Sequence, residues 1–158
     1  MSVRLCSRSG AARTKTSGDR GDSRMTSDQD STFQALRDLL AAYADGLTVE
    51  TDTTNRFCLV GIPGPATLEA WRGTLRRASI PVAWVERRKS DVGYHLMGIS
   101  ENASLVARLS PALRARMHGK TCFNFQRPDA DLLRELRGVT EASLDALRRR
   151  GFVEAGTE

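Results

Sequence analysis

The sequence predicts an α+β fold: a single compact domain in which a mainly antiparallel sheet is flanked by helices. Three observations carry this expectation. Apolar residues recur at helical spacing near the start of the body (Phe33, Leu36, Leu39, Leu40, Tyr43) and again near its end (Leu132, Leu133, Leu136, then Leu144, Leu147). Two runs rich in β-branched and aromatic residues, 80–85 and 92–99, are separated by a charged stretch of hairpin length. Strands and helices do not alternate as regular βαβ units, and no internal repeat is visible. A chain of 158 residues is long enough for one core and short for two.

The first helix is expected from Phe33, capped by Asp30 and Ser31 and closed by Gly46. Short strands follow over residues 47–51 and 56–62, separated by the turn-forming residues 52–55. Residues 63–73 fit two patterns: a short helix started by Pro65 and carrying Ala66, Leu68 and Trp71, or an irregular strand. Residues 80–85 and 92–99 should pair as antiparallel neighbours across the connection 86–91. A short helix is expected over 102–109. Ser110 followed by Pro111 starts another, with Leu113 and Met117 on one face and Gly119 placed to end it. Residues 121–126 alternate as a strand, with Phe123 and Phe125 toward the core and Cys122, Asn124 and Gln126 on the other side. Two closing helices, 129–137 and 140–150, complete the domain, the second ended by Gly151.

Net charge is +5, but residues 1–24 hold six basic and two acidic residues, leaving 18 basic and 17 acidic in the rest. The body is therefore nearly neutral, and nucleic acid is an unlikely partner. The Arg-, Ser- and Gly-rich start reads as a disordered basic tail or as translation from an upstream start codon, with Met25 as the second methionine. Residues 1–30 are assigned to that tail, 31–153 to the domain and 154–158 to a C-terminal tail. Three cysteines without CxxC spacing indicate neither a disulfide framework nor a zinc ribbon and fit a reducing cytoplasm. No apolar run reaches the length needed to span a bilayer.

Candidate sites concentrate in two stretches, YHLMGI at 94–99 and MHGKTCFNFQ at 117–126. Gly119-Lys120-Thr121 resembles the end of a P-loop, but Arg114 stands where that motif needs a glycine, and the order of elements is reversed. His118 and Cys122 have the spacing of half a metal site, which Cys58 and His95 can complete only by tertiary contact. No metal or cofactor is assigned. His95 and His118 lack a nucleophile signature such as GxSxG. The runs Arg87-Arg88-Lys89 and Arg148-Arg149-Arg150 read as a solvated hairpin connection and a helix end, whereas Arg114, Arg116 and Lys120 form a modest anion-binding cluster.

These stretches carry a resemblance. PVAWVERRKSDVGYHLMGI, a helix pair, and LSPALRARMHGKTCFNFQRPDADLLRELRGVT are together similar to the bacterial YdhG-like family, most strongly over residues 80–152 and more weakly over 33–71. Members carry an aromatic-His-Leu-Met segment like Tyr94-His95-Leu96-Met97 and a Gly-Lys-Ser/Thr-Cys-Phe-Asn-Phe segment like residues 119–125. The resemblance implies a compact α+β domain. Some relatives are described as frataxin-like intracellular iron chaperones, which use an acidic surface because iron prefers oxygen ligands. Here only Asp38, Asp45, Glu50 and Asp52 are available, and they form no acidic ridge. The expectation is therefore a non-enzymatic cytoplasmic domain that binds a small ligand, an anion being the first candidate, or a protein partner. The surface would be formed by His95, Met97, Arg114, His118, Lys120, Cys122 and Asn124, with His95 and Asn124 as hydrogen-bonding groups and Arg114 and Lys120 as anion contacts. Iron delivery and a small enzyme with an unrecognised site are the alternatives.

Overall fold

Among the described residues six strands form one antiparallel sheet, in the spatial order Thr48–Asp52, Arg56–Gly61, Ile80–Arg87, Val92–Leu96, Cys122–Phe125 and Met117–His118. The computed structural model describes residues 20–154, with side chains from Thr26 onward. Of the tail expected over residues 1–30, residues 1–19 lie outside the described residues, as do 155–158, and residues 20–30 belong to a helix. The elements are α1 (Arg20–Ala41), β1 (Thr48–Asp52), β2 (Arg56–Gly61), α2 (Pro65–Trp71), β3 (Ile80–Arg87) and β4 (Val92–Leu96). A 3₁₀ turn (Met97–Glu101) follows, then α3 (Ala103–Arg108), α4 (Pro111–Arg114), β5 (Met117–His118), β6 (Cys122–Phe125) and α5 (Ala130–Arg149). The α+β expectation is met in a single domain.

Strand alternation sorts the sheet into two faces. Phe57, Val85, Tyr94 and Phe123 are successive cross-strand partners, and Leu59, Ala83 and Leu96 form the next inward row. All are buried beneath α1 and α5, whose Phe33, Leu36, Leu39, Leu40, Leu132, Leu136 and Leu144 complete the core. The buried Tyr94 hydroxyl meets Thr140 Oγ1 of α5 at 2.8 Å, and Thr140 in turn donates to the Leu136 carbonyl at 2.8 Å.

Local signals place most elements correctly, and the departures have tertiary causes. α1 begins at Arg20, ahead of the expected caps Asp30 and Ser31. The Ser31 hydroxyl bonds back to the Ser27 and Asp28 carbonyls, as a serine inside a helix does. These early turns are held by the β3–β4 hairpin: Gln29 Nε2 donates to the carbonyls of Arg88 at 2.5 Å and Asp91 at 3.0 Å, and Asp30 pairs with Arg87. Residues 63–73 resolve as a helix because α2 borrows acceptors from the chain after α5. Gly64 N and Thr67 Oγ1 bond to the Phe152 carbonyl, and Ala66 N to that of Gly151.

The expected strand 92–99 stops at Leu96. Met97 begins the 3₁₀ turn, which Gly98 lets approach α5 so closely that an added Cβ would lie 2.0 Å from the Ser143 carbonyl oxygen. α4 ends at Arg114, well before Gly119, which adopts φ +70 in the turn joining β5 and β6. The two closing helices are one continuous helix through Gly138, where Val139 and Thr140 are buried and their packing outweighs the glycine's low propensity. At the sheet's two edges, β5 is only two residues long, and β1 changes register between Val49 and Thr51.

Candidate functional site

The outward face of the sheet carries a row that crosses five strands: Cys58, Trp84, His95, Cys122 and His118 are successive cross-strand partners. One row away lie Arg56, Glu86, Gly93 and Asn124. Solvent reaches this face, with side-chain exposures of 40% for Arg56, 29% for Glu86 and 32% for Arg88.

Arg88 organises the centre. It sits in the hairpin turn closed by its own N–H to the Asp91 carbonyl, and its guanidinium folds back over Gly93. A Cβ on Gly93 would lie 2.6 Å from Nη2 and 3.0 Å from Cζ, so the missing side chain is the space the guanidinium occupies. From there Nη1 donates to Asn124 Oδ1 at 3.2 Å and Nη2 to Cys122 Sγ at 3.0 Å, while Nε lies 3.5 Å from Glu86 Oε1. The Glu86 carboxylate also accepts from Arg56 Nη1 at 3.0 Å. Trp84 lies between Arg56 and His95, with the Arg56 guanidinium 5.6 Å from its ring and the His95 ring stacked on it at 4.4 Å.

His95 Nε2 is 3.0 Å from Glu86 Oε1, 3.2 Å from Arg88 Nη2 and 3.6 Å from Cys122 Sγ. A carboxylate only accepts and a guanidinium only donates, so Nε2 serves Glu86 as a donor in one tautomer and Arg88 as an acceptor in the other. Burial holds the His95 pKa below its ordinary value, with Arg88 and Arg56 adding to the effect and Glu86 opposing it. The Cys122 thiol is pushed up by burial, Arg88 countering only in part, and its Sγ–H can donate to Asn124 Oδ1 at 3.2 Å.

This arrangement bears on catalysis. A Cys-His pair needs the imidazole lone pair toward sulfur and an orienting group on the other ring nitrogen. Here Glu86 and Cys122 meet the same ring nitrogen.

Of the seven residues singled out from sequence, the structure brings His95, Cys122 and Asn124 together. His118 is the exposed partner of Cys122 across β5–β6. Lys120 is exposed in the adjoining turn. Arg114 faces elsewhere, donating to the Val106 carbonyl at 2.6 Å. Met97, expected on the same surface as His95, lies on the 3₁₀ turn in a separate groove beside Trp71. Cys58 shares the row but is separated from His95 by Trp84. Among the described residues no three His, Cys, Asp or Glu side chains converge as a metal site.

Arg88, read from sequence as a solvated hairpin residue, is the centre of the cluster, and Glu86 and Trp84 accompany it. A signal was present: a glycine inside a β-branched, aromatic run marks a place where another group approaches the backbone closely. Among the described residues no helix is long and apolar enough to cross a membrane. No protein-family model matches the chain, and neither the curated proteins nor the solved structures provide a match.

Proposed function

We propose that the chain is a non-catalytic, YdhG-like binding domain of the cytoplasm whose outward sheet face takes a small oxyanion. The observation that carries this reading is the placement of Arg88. Of the five N–H donors of its guanidinium, Nη1 bonds to Asn124 Oδ1 and Nη2 to Cys122 Sγ, with His95 Nε2 3.2 Å from Nη2 and Glu86 Oε1 3.5 Å from Nε. The second hydrogen of Nη1 remains on a group whose position is already fixed, which lowers the ordering cost of binding. The face and its adjoining turn carry Arg56, Arg88 and Lys120, with Glu86 beside Arg88, Glu50 beside Cys58 and Asp91 near Arg88, so the cluster is balanced in charge and the guanidinium's placement carries the reading. Arg88 thus takes the role that the sequence suggested for Arg114, with Lys120 and His118 at the margin. The free thiols of Cys58 and Cys122 fit a reducing compartment.

Thermal unfolding of the full chain with phosphate, sulfate and citrate tests the reading. An anion at a hundred times its dissociation constant should stabilise the fold by about 2.7 kcal/mol. Arg88→Gln should remove that stabilisation. If no anion stabilises the chain, or if Arg88→Gln responds like the parent, the reading fails. Stabilisation by iron alone in the same series would favour iron delivery instead.

A further inference from the structure

A second concavity, sharing no residue with the Arg88 cluster, lies where α2, the start of β3, the 3₁₀ turn and the end of α5 meet. It encloses about 460 Å³. That is within the range of small-molecule sites, roughly 300–1,000 Å³. Its walls are built by two close approaches already described: Gly98 against the Ser143 carbonyl, which sets Met97, and the Gly151 and Phe152 carbonyls, which hold α2. Trp71, Ile80, Pro81, Met97, Leu147 and Phe152 supply an apolar lining. Trp71 is 55% exposed and Met97 39%, so large apolar side chains face water here.

The polar residues of the wall are unequal. Glu101 is bound by Arg150 at 3.1 Å, so its charge is already matched. Arg76 and Arg77, on the loop between α2 and β3, are exposed and have no ion-pair partner among the described residues. An apolar floor beside two unmatched guanidiniums complements one class of small molecule. We infer that this groove binds an amphipathic carboxylate, its apolar chain against Trp71 and Met97 and its carboxylate at Arg76 and Arg77. A phosphate or other fully polar anion would leave the apolar walls wet, and a neutral apolar molecule would leave the arginines unmatched. Charge-assisted hydrogen bonds to a planar carboxylate are the contribution that the arginines add.

Calorimetric titration of the full chain with octanoate, octanol and acetate tests the inference. Octanoate should bind at a saturable single site, and acetate should not. Arg76→Gln combined with Arg77→Gln should weaken octanoate by about tenfold or more while leaving octanol unchanged. Met97→Glu, an exposed position whose new carboxylate repels the ligand's, should weaken octanoate in a chain whose circular dichroism is that of the parent. The inference is overturned if octanoate shows no saturable binding to the folded chain, or if the double substitution weakens octanoate and octanol equally or neither of them.

Discussion

Gly93→Ala is the sharpest probe of the Arg88 cluster, because it disturbs the arginine without removing it. A methyl group there would sit 2.6 Å from Nη2 and 3.0 Å from Cζ and Nε, and these three Arg88 atoms are its nearest neighbours. The end of a flexible side chain can move, so the guanidinium should swing out and lose Cys122 Sγ and Asn124 Oδ1. Hydrogen bonds to a charged group contribute about 1.5–3 kcal/mol when buried. With Arg88 32% exposed, screening reduces the pair of bonds to a total of about 1–2 kcal/mol. Against this, alanine is better than glycine in a strand interior by about 0.5–1 kcal/mol. The net expectation is a loss of about 0–1.5 kcal/mol, measured by urea unfolding. In an Arg88→Ala background the bonds are already gone, so the same substitution should stabilise by about 0.5–1 kcal/mol. The four chains form a cycle whose coupling is the contribution of the seated guanidinium, about 1–2 kcal/mol. Gly93→Ala having the same sign and size in both backgrounds would refute the reasoning. Gly93→Ala should also lose the anion response although every positive charge is retained, which separates placement from charge.

Burial holds His95 below its ordinary value of 6.5, so the unfolded chain takes up its proton before the folded one. Stability from this residue is present above that value and is lost as pH falls through it toward the lower folded pKa; thermal midpoints of His95→Gln should decline less steeply over this window than those of the parent. Gly138 lies in the interior of α5 with nothing within 4 Å of an added Cβ. Gly138→Ala should therefore raise stability by about 0.5–1 kcal/mol, seen as a higher thermal midpoint, and a lower midpoint would contradict the continuous helix.

The parts of the fold written in short-range periodicity were legible. The apolar spacing of α1, the alternation of Phe123 and Phe125, the Ser110-Pro111 start and the hairpin between residues 80–85 and 92–99 all depend on neighbours in sequence. What escaped depends on partners far along the chain. Gln29 and Asp30 extend α1 by reaching the hairpin, α2 is capped by carbonyls of Gly151 and Phe152, and Gly98 ends β4 by docking on α5. The candidate site divides in the same way. His95, Cys122 and Asn124 could be gathered because they lie in dense local stretches. Arg88 and Glu86 look like ordinary surface charges until register places Glu86 beside Gly93 and the turn folds Arg88 across it. Met97 was misplaced for a related reason: the strand expected to run to residue 99 ends at Leu96.

The sheet's two margins have a consequence for how the molecule behaves in a crowded cell. An edge strand with unpaired amides is the usual starting point for strand addition and fibrous self-association. Here one margin offers only Met117 and His118, too short a template, and the other is kinked at Glu50 and bears Asp52 clamped by Arg37 at 2.5 Å. Neither end of the sheet readily recruits another chain through its backbone. The protein can thus expose a broad sheet face at high concentration without the self-templating hazard that open sheets usually carry.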